Sequence, residues 1–207
     1  MPRKNKKLPR HLLVIRTSAM GDVAMLPHAL RALKEAYPEV KVTVATKSLF
    51  HPFFEGVDVD FLDIETRRTH RGIRGAIRFA REAAELKIDA VADMHNVLRS
   101  KMVRAALHLR GIPVSVIHKG RIEKYMRLGR GSEGVKPLKH TVIRYCDVFR
   151  RLGFDFPDPR PAEKRPRPNP MGEKQGIWIG FAPFSAQPGK TLSLIHISEP
   201  TRRSYIS

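Results

Sequence analysis

The segment of residues 12–37 constrains the fold most, because it predicts a buried strand, a tight turn and an amphipathic helix in immediate succession. Residues 12–15 (LLVI) form an uninterrupted apolar run. Apolar side chains then recur at helical spacing, at Val23, Leu26, Leu30 and Leu33. The polar turn between strand and helix, residues 16–22, ends in Gly21 and Asp22. In α/β sheets ligands bind outside the carboxyl ends of the strands, so this turn is a candidate binding site.

Asp22 has two interpretations on the residues alone. Its carboxylate can cap the helix or complement the helix dipole, a contribution of about 0.3–1 kcal/mol. It can equally face a ligand. A phosphate cradle is the less favoured form of that second interpretation, because the turn lacks the G-x-G-x-x-G fingerprint of dinucleotide-binding domains.

The alternation of strands and helices continues to residue 153. Predicted strands cover residues 40–46, 57–64, 88–94 and 113–117, and predicted helices cover residues 49–55, 72–86, 97–109 and 140–152. The helix of residues 72–86 is expected to bury the face that carries Ile73, Ile77, Ala80 and Ala84. Regular alternation of this kind predicts an α/β fold with a Rossmann-like, doubly wound parallel sheet.

The flanking segments differ in composition from this unit. Residues 1–10 form a basic tail ahead of a domain spanning residues 11–153. Residues 154–175 are rich in proline and charge without an apolar period, which is typical of an interdomain linker. Residues 176–191 contain a new apolar strand (IWIGF) and a polar turn, as expected at the start of a second domain.

The net charge of +19 indicates a polyanionic partner, either nucleic acid, an anionic membrane or a phosphorylated substrate. Aromatic residues make up 7% and do not alternate with the basic ones, which argues against a stacking platform for nucleic acid. The single cysteine, Cys146, fits a buried apolar position and a reducing compartment. The sequence has neither an apolar run of about 20 residues nor a signal-peptide core, so we expect a cytoplasmic protein.

Several motifs in order resemble glycosyltransferase family 9, the heptosyltransferases of bacterial lipopolysaccharide. Residues 14–38 (VIRTSAMGDVAMLPHALRALKEAYP) match the family opening, in which a basic residue, a small polar turn and Gly-Asp precede a helix with proline. Further matches are residues 89–93 (DAVAD) with the helix beginning at Val97, residues 140–145, and residues 179–190. The resemblance spans about residues 11–191. It implies a two-domain GT-B enzyme with an acceptor-binding domain at residues 11–153 and a nucleotide-sugar domain beginning at residues 176–191.

The resemblance also implies an activity and its residues. It implies inverting, metal-independent transfer of a sugar, heptose from ADP-heptose, to the lipopolysaccharide inner core, with Asp22 as the catalytic base. The residues expected to bind the acceptor are Arg16, Thr17, Ser18, Arg67, Arg68, Arg99 and Lys101. Those expected to bind the donor diphosphate are Ser185 and Lys190. For each basic residue a solvated surface position remains the alternative, and Asp93 or Asn96 can simply cap the helix that follows them.

The implied partners are a nucleotide sugar, a lipid A-type glycolipid and the anionic inner face of the inner membrane. The resemblance implies no cofactor and no metal, and the nine histidines show no metal-ligand spacing such as H-E-x-x-H. The alternative is a non-catalytic basic α/β module that binds nucleic acid or an anionic membrane surface. Nucleic-acid binding would weaken steeply with salt, which distinguishes the two.

The last residues differ in kind from the rest. Residues 192–202 (LSLIHISEPTR) correspond to the in-frame translation of a transposase-type sequencing-library adapter. We therefore predict that residues 192–207 are a translated artefact fused to a truncated gene, and we give them no functional weight. The chain as written is expected to be inactive, because the donor pocket would need groups beyond Thr191.

Overall fold

The computed structural model describes residues 8–65, 69–120 and 138–159, together with residues 172, 176 and 177. The chain divides into two compact units, Met1–Ala162 and Glu163–Ser207, and the strands and helices of the described residues all belong to the first. The strands are β1 (His11–Ile15), β2 (Lys41–Thr46), β3 (Asp60–Asp63), β4 (Ala90–Asp93) and β5 (Val114–Val116). The helices are α1 (Met20–Ala24), α2 (Leu26–Ala36), a 3-10 helix (Ser48–Phe54), α3 (Gly72–Glu85), α4 (Leu98–His108) and α5 (Thr141–Arg151).

The strands described form one parallel sheet in the order β3-β2-β1-β4-β5. The chain moves outward from β1 to β3 and then returns to add β4 on the other side of β1. The topological switch point therefore lies between β1 and β4, and ligands of open α/β sheets bind at such a point. This topology confirms the predicted Rossmann-like α/β fold class.

Alternate residues of β1 supply the cores on the two faces of the sheet, as the period of two in a strand requires. Leu12 and Val14 join the core beneath α2 and α5, while Leu13 and Ile15 join the core beneath α3 and α4. Every one of these four side chains is buried. An apolar run without alternation thus becomes a central strand with helices on both faces.

Two predicted helices differ in detail. The helix after β1 is divided into α1 and α2, which meet at Met25, and the helix predicted at residues 49–55 is a 3-10 helix. Pro27 is tolerated because it lies at the start of α2, where its missing N–H has no helical partner to lose. The predicted strand at residues 57–64 contracts to β3 and lies largely exposed at the sheet edge.

The predicted buried face of α3 was wrong at Ile73 and Ile77, whereas Ala80 is buried as predicted. Ile73 and Ile77 are exposed, and the residues that α3 buries are Gly75, Ala76, Phe79, Ala80 and Ala83. The aromatic ring of Phe79 removes more apolar surface from water than an isoleucine, so it sets the inward direction. Gly75 is needed there because a Cβ would lie 2.2 Å from the carbonyl carbon of His70.

Candidate active site

The turn after β1 builds the first half of the site around Arg16 and Asp22. Arg16 is buried at the carboxyl end of β1, where its Nη1 donates to Met94 O and its Nη2 donates to Asp22 Oδ2. Asp22 is the third residue of α1 and does not cap it; the residue before that helix is Ala19, whose side chain makes no capping bond. The Asp22 side chain is 46% exposed. Its Oδ1 makes no hydrogen bond to any residue that the structure describes.

Tyr145 of α5 contacts both Asp22 and Arg16. Its hydroxyl donates to the backbone carbonyl of Asp22 at 3.0 Å, and its ring lies 5.9 Å from the Arg16 guanidinium carbon. Burial raises the pKa of Tyr145 to about 12, despite the opposing charge of Arg16. The phenol therefore remains a protonated donor over the working pH range, and it connects a distant helix to the Asp22 backbone.

The turn after β4 is built around a second carboxylate, Asp93, which is fully buried. Asp93 Oδ1 accepts from the backbone N–H groups of His95 at 2.9 Å and Asn96 at 2.8 Å. Arg104 of α4 donates to Oδ2 at 3.2 Å. Asn96 adopts φ 46°, a left-handed conformation that asparagine tolerates better than most residues. Asp93 therefore holds the turn ahead of α4 and does not cap the helix, whose N-cap is Val97.

His95 joins the two turns. Its Nδ1 lies 2.8 Å from Thr17 Oγ1 and its Nε2 lies 3.1 Å from Ser18 Oγ. Burial, together with the positive charges of Arg16 and Lys119, lowers the pKa of His95 to about 4, although Asp93 and Asp22 act in the opposite direction. The ring is consequently neutral near pH 7, so one nitrogen donates to a hydroxyl while the other accepts from one.

A cleft opens beside these turns, between the starts of α3 and α4. Its lining includes Thr17, His70, His95 and Arg99. His70 is held by two hydrogen bonds. The N–H of Glu65 donates to its Nδ1 at 3.1 Å, and its Nε2 lies 2.9 Å from Glu82 Oε2.

The structure brings some of the predicted site residues together and places others apart from them. Arg16, Thr17, Ser18 and Asp22 gather at the switch point, and Arg99 lines the adjoining cleft. Lys101 is exposed on the outer side of α4. The remaining positions lie outside the described residues, and they are Arg67, Arg68, Ser185, Lys190 and the tail of residues 192–207. Among the residues described, no cluster of histidine, cysteine, aspartate or glutamate is suited to hold a metal ion.

Sequence reasoning missed His70, Arg104 and the role of His95. His95 directly follows the end of β4, and that position was the available signal. It became meaningful only once β4 was known to lie beside β1. Cys146, in contrast, is buried as predicted, and burial raises the pKa of its thiol to about 11.

Solved structures share the fold of this chain. A glycosyl transferase family 9 protein from Veillonella parvula matches 70% of the chain and 42% of its own length at 17% identity, with a TM-score of 0.52. The E. coli heptosyltransferase WaaC with ADP matches 71% of the chain and 49% of its own at 24% identity, with a TM-score of 0.50. The structure of E. coli WaaC with ADP-2-deoxy-2-fluoro heptose matches 72% of the chain and 50% of its own length at 23% identity, with a TM-score of 0.50.

This likeness agrees with the Rossmann-like α/β class and with the domains of GT-B glycosyltransferases. The chain spans half or less of the length of these solved proteins. No protein-family model matches the sequence, and no curated protein matches it. Of the residues described, no helix is both long enough and apolar enough to cross a membrane.

Proposed function

We propose that residues 11–153 of this chain form the acceptor-binding domain of a heptosyltransferase-like glycosyltransferase of family 9. The observation that carries the proposal is Asp22, a half-exposed carboxylate at the switch point with one oxygen bound to buried Arg16 and the other without a hydrogen-bond partner among the described residues. The proposed reaction transfers a sugar, heptose from ADP-heptose, to the lipopolysaccharide inner core at the cytoplasmic face of the inner membrane. The resemblance of residues 14–38 to the family opening supports the assignment.

In the proposed mechanism Asp22 acts as general base. Its free oxygen accepts the proton of an acceptor hydroxyl while that hydroxyl oxygen bonds to the anomeric carbon of the sugar. The bond from that carbon to the diphosphate breaks on the opposite face, so the configuration inverts and the electron pair leaves with the nucleotide diphosphate. Arg16 fixes the orientation of the base, because the bond from its Nη2 leaves the carboxylate one free oxygen.

The acceptor is proposed to bind across the cleft beside Asp22. Arg99 lines that cleft and suits a phosphate or acidic sugar of a lipid A-type glycolipid. The hydroxyls of Thr17 and Ser18 both form hydrogen bonds with His95 and so hold the turn in place. The same hydroxyls are proposed to contact the acceptor. Arg67, Arg68 and Lys101 are proposed to extend the cationic path for the same acceptor.

The donor is proposed to be a nucleotide-diphosphate sugar held by a second domain. Ser185 would donate a hydrogen bond to the diphosphate and Lys190 would neutralise part of the charge that develops on it. No cofactor or metal takes part in this proposal. The roles of Ser185 and Lys190 are assigned from the resemblance of residues 179–190 to the family.

Acceptor binding tests the proposal directly on this chain. We expect the chain to bind a lipid A-type phosphorylated glycolipid in detergent micelles, and Arg99→Gln to weaken that binding about tenfold by removing a charged hydrogen-bond donor. Lys41→Gln, at the amino end of β2 and away from the cleft, is the matched control. Tight binding of duplex DNA with a steep salt dependence, and none of the glycolipid, would favour the nucleic-acid module instead.

A further inference from the structure

The outward side of α3 carries isoleucines where a solvated helix would carry polar residues. Ile73 is 68% exposed and Ile77 is 51% exposed, and they lie one helical turn apart. Arg81 continues the same row one turn further on, and Arg74 lies beside it; both arginines are exposed. We call these four residues, Ile73, Arg74, Ile77 and Arg81, the α3 outer face.

The charges of this face are not neutralised by any residue that the structure describes. Arg74 and Arg81 make no hydrogen bond or ion pair with any residue that the structure describes. Arg78 on the same helix, in contrast, lies 3.0 Å from Glu82 Oε1. The α3 outer face therefore combines two exposed apolar side chains with two exposed arginines.

The α3 outer face begins at Ile73, at the end of the domain that holds the candidate active site, and extends along the helix to Arg81. Both α3 and α4 follow parallel strands, so both helices begin at the carboxyl edge of the sheet, where Asp22 is found. Residues at the start of each helix, Gly75 and Arg99 among them, line one cleft. Leu98, the first residue of α4, is 75% exposed and extends the apolar surface at this end.

We propose that the α3 outer face docks this domain onto an anionic lipid bilayer. Arginines near an anionic leaflet gain electrostatic energy, and aliphatic side chains beside them gain by entering the boundary between headgroups and acyl chains. Nucleic acid would attract the arginines but offers no comparable environment to two isoleucines. It also favours aromatic platforms, and the aromatic residue of α3, Phe79, is buried. The inference deepens the proposed function, because docking at this edge presents the cleft beside Asp22 to a lipid-linked acceptor.

Vesicle binding by the full chain tests the surface without any sugar donor. Vesicles of phosphatidylcholine with phosphatidylglycerol should bind the chain, whereas vesicles of phosphatidylcholine alone should not. Arg74→Gln with Arg81→Gln should weaken binding about 25-fold, since each arginine near the anionic surface contributes about fivefold. Ile73→Ser with Ile77→Ser should weaken it about tenfold.

The matched controls lie at the opposite edge of the sheet. Arg10→Gln with Lys87→Gln removes the same charge from exposed positions that precede β1 and β4, and Leu109→Ser removes an apolar side chain that is 88% exposed at the end of α4. Both controls should bind as the unchanged chain does. Equal weakening by the controls, or no effect of the α3 variants, would overturn the proposal.

A site-specific label covers the case in which a double variant folds poorly. Cys146 is buried, so an environment-sensitive fluorophore will react with Ile77→Cys alone. Anionic vesicles should shift its emission to the blue, and the same label on Leu109→Cys should not respond. A silent label at position 77, or a label that responds to duplex DNA and not to vesicles, overturns the surface assignment. Loss of vesicle binding leaves acceptor binding in micelles unaffected, so failure of this inference and failure of the proposed function are distinguishable.

Discussion

The two turns at the switch point each contain a carboxylate paired with an arginine, yet they differ in how completely the carboxylate is bound. Asp93 is fully buried and both of its oxygens are used, by the backbone N–H groups of His95 and Asn96 and by Arg104. Asp22 is half exposed and uses one oxygen. Beside it, Arg16 Nε is buried without a hydrogen-bond partner in the part of the chain described.

The difference separates a structural carboxylate from one that can take part in chemistry. A buried charge is stable only when its hydrogen-bonding capacity is met, and Asp93 satisfies that condition entirely within the domain. Asp22 retains an oxygen that solvent or a ligand can reach. Sequence alone does not distinguish the two, since Asp93 ends one buried strand and Asp22 ends the polar turn that follows another.

The largest effect is expected from Asp22→Asn in an enzyme that carries this domain together with a donor-binding half. Turnover should fall about 10²–10⁴-fold, the usual contribution of a positioned base, while donor binding stays nearly unchanged. The assay is transfer of sugar from ADP-heptose to the glycolipid acceptor.

Asp63→Asn is the matched control, because Asp63 is also half exposed at the carboxyl end of a strand but pairs with His51 at 2.7 Å. Its turnover should stay close to that of the unchanged enzyme. Near-normal turnover in Asp22→Asn would remove the distinction drawn between the two turns.

Asp93→Ala is expected to lower the stability of the domain. The substitution leaves Arg104 and two backbone N–H groups without their acceptor, so the free energy of unfolding should fall by about 3 kcal/mol. Urea denaturation of the chain measures it. Asp22→Asn keeps an oxygen for Arg16 and should lose clearly less; equal losses at the two positions would contradict the comparison.

His95 should make the connection between the turns sensitive to acid. Its folded pKa, about 4, lies below the ordinary 6.5, so the unfolded ring takes up a proton that the folded ring refuses. The stability that His95 contributes is therefore complete above about pH 6.5 and is lost as the pH falls toward 4. After allowing for partial exposure of the ring, we expect a loss of about 2 kcal/mol.

His95→Gln provides the control for acid sensitivity, because glutamine can bond to hydroxyls but does not titrate. The difference in unfolding free energy between pH 7 and pH 4.5 should be smaller in this variant by about the same amount. A variant that shows the same pH dependence as the unchanged chain would show that His95 does not couple the turns to protonation.

The smallest effect is expected from Tyr145→Phe, which removes the hydrogen bond to the Asp22 carbonyl and keeps the packing of the ring. Unfolding free energy should fall by about 1 kcal/mol. In an enzyme with a donor-binding half, turnover should fall more than affinity for the acceptor, because the turn that positions the base loses a support. A fall in acceptor affinity alone would assign Tyr145 to binding.

Local sequence patterns were enough to predict the elements of this domain and a candidate site after β1. Apolar runs and helical spacing are local, so they predicted the alternation of strands and helices, and alternation admits few sheets other than a parallel one. The same segment predicted a binding site at the Gly-Asp turn, because a polar turn that follows a parallel strand lies at the ligand-binding edge of the sheet.

The contacts of each polar residue at that edge depend on tertiary packing, which local patterns do not encode. The order β2-β1-β4 brings Thr17 and Ser18 to His95, which is 77 residues or more away along the chain, and no local pattern encodes that contact. The rotation of α3 was likewise settled by packing, since Phe79 and the small residues near it fit against the sheet better than Ile73 and Ile77. Periodicity identifies a helix with an apolar side, but the face that is buried depends on the shape of the surface it meets.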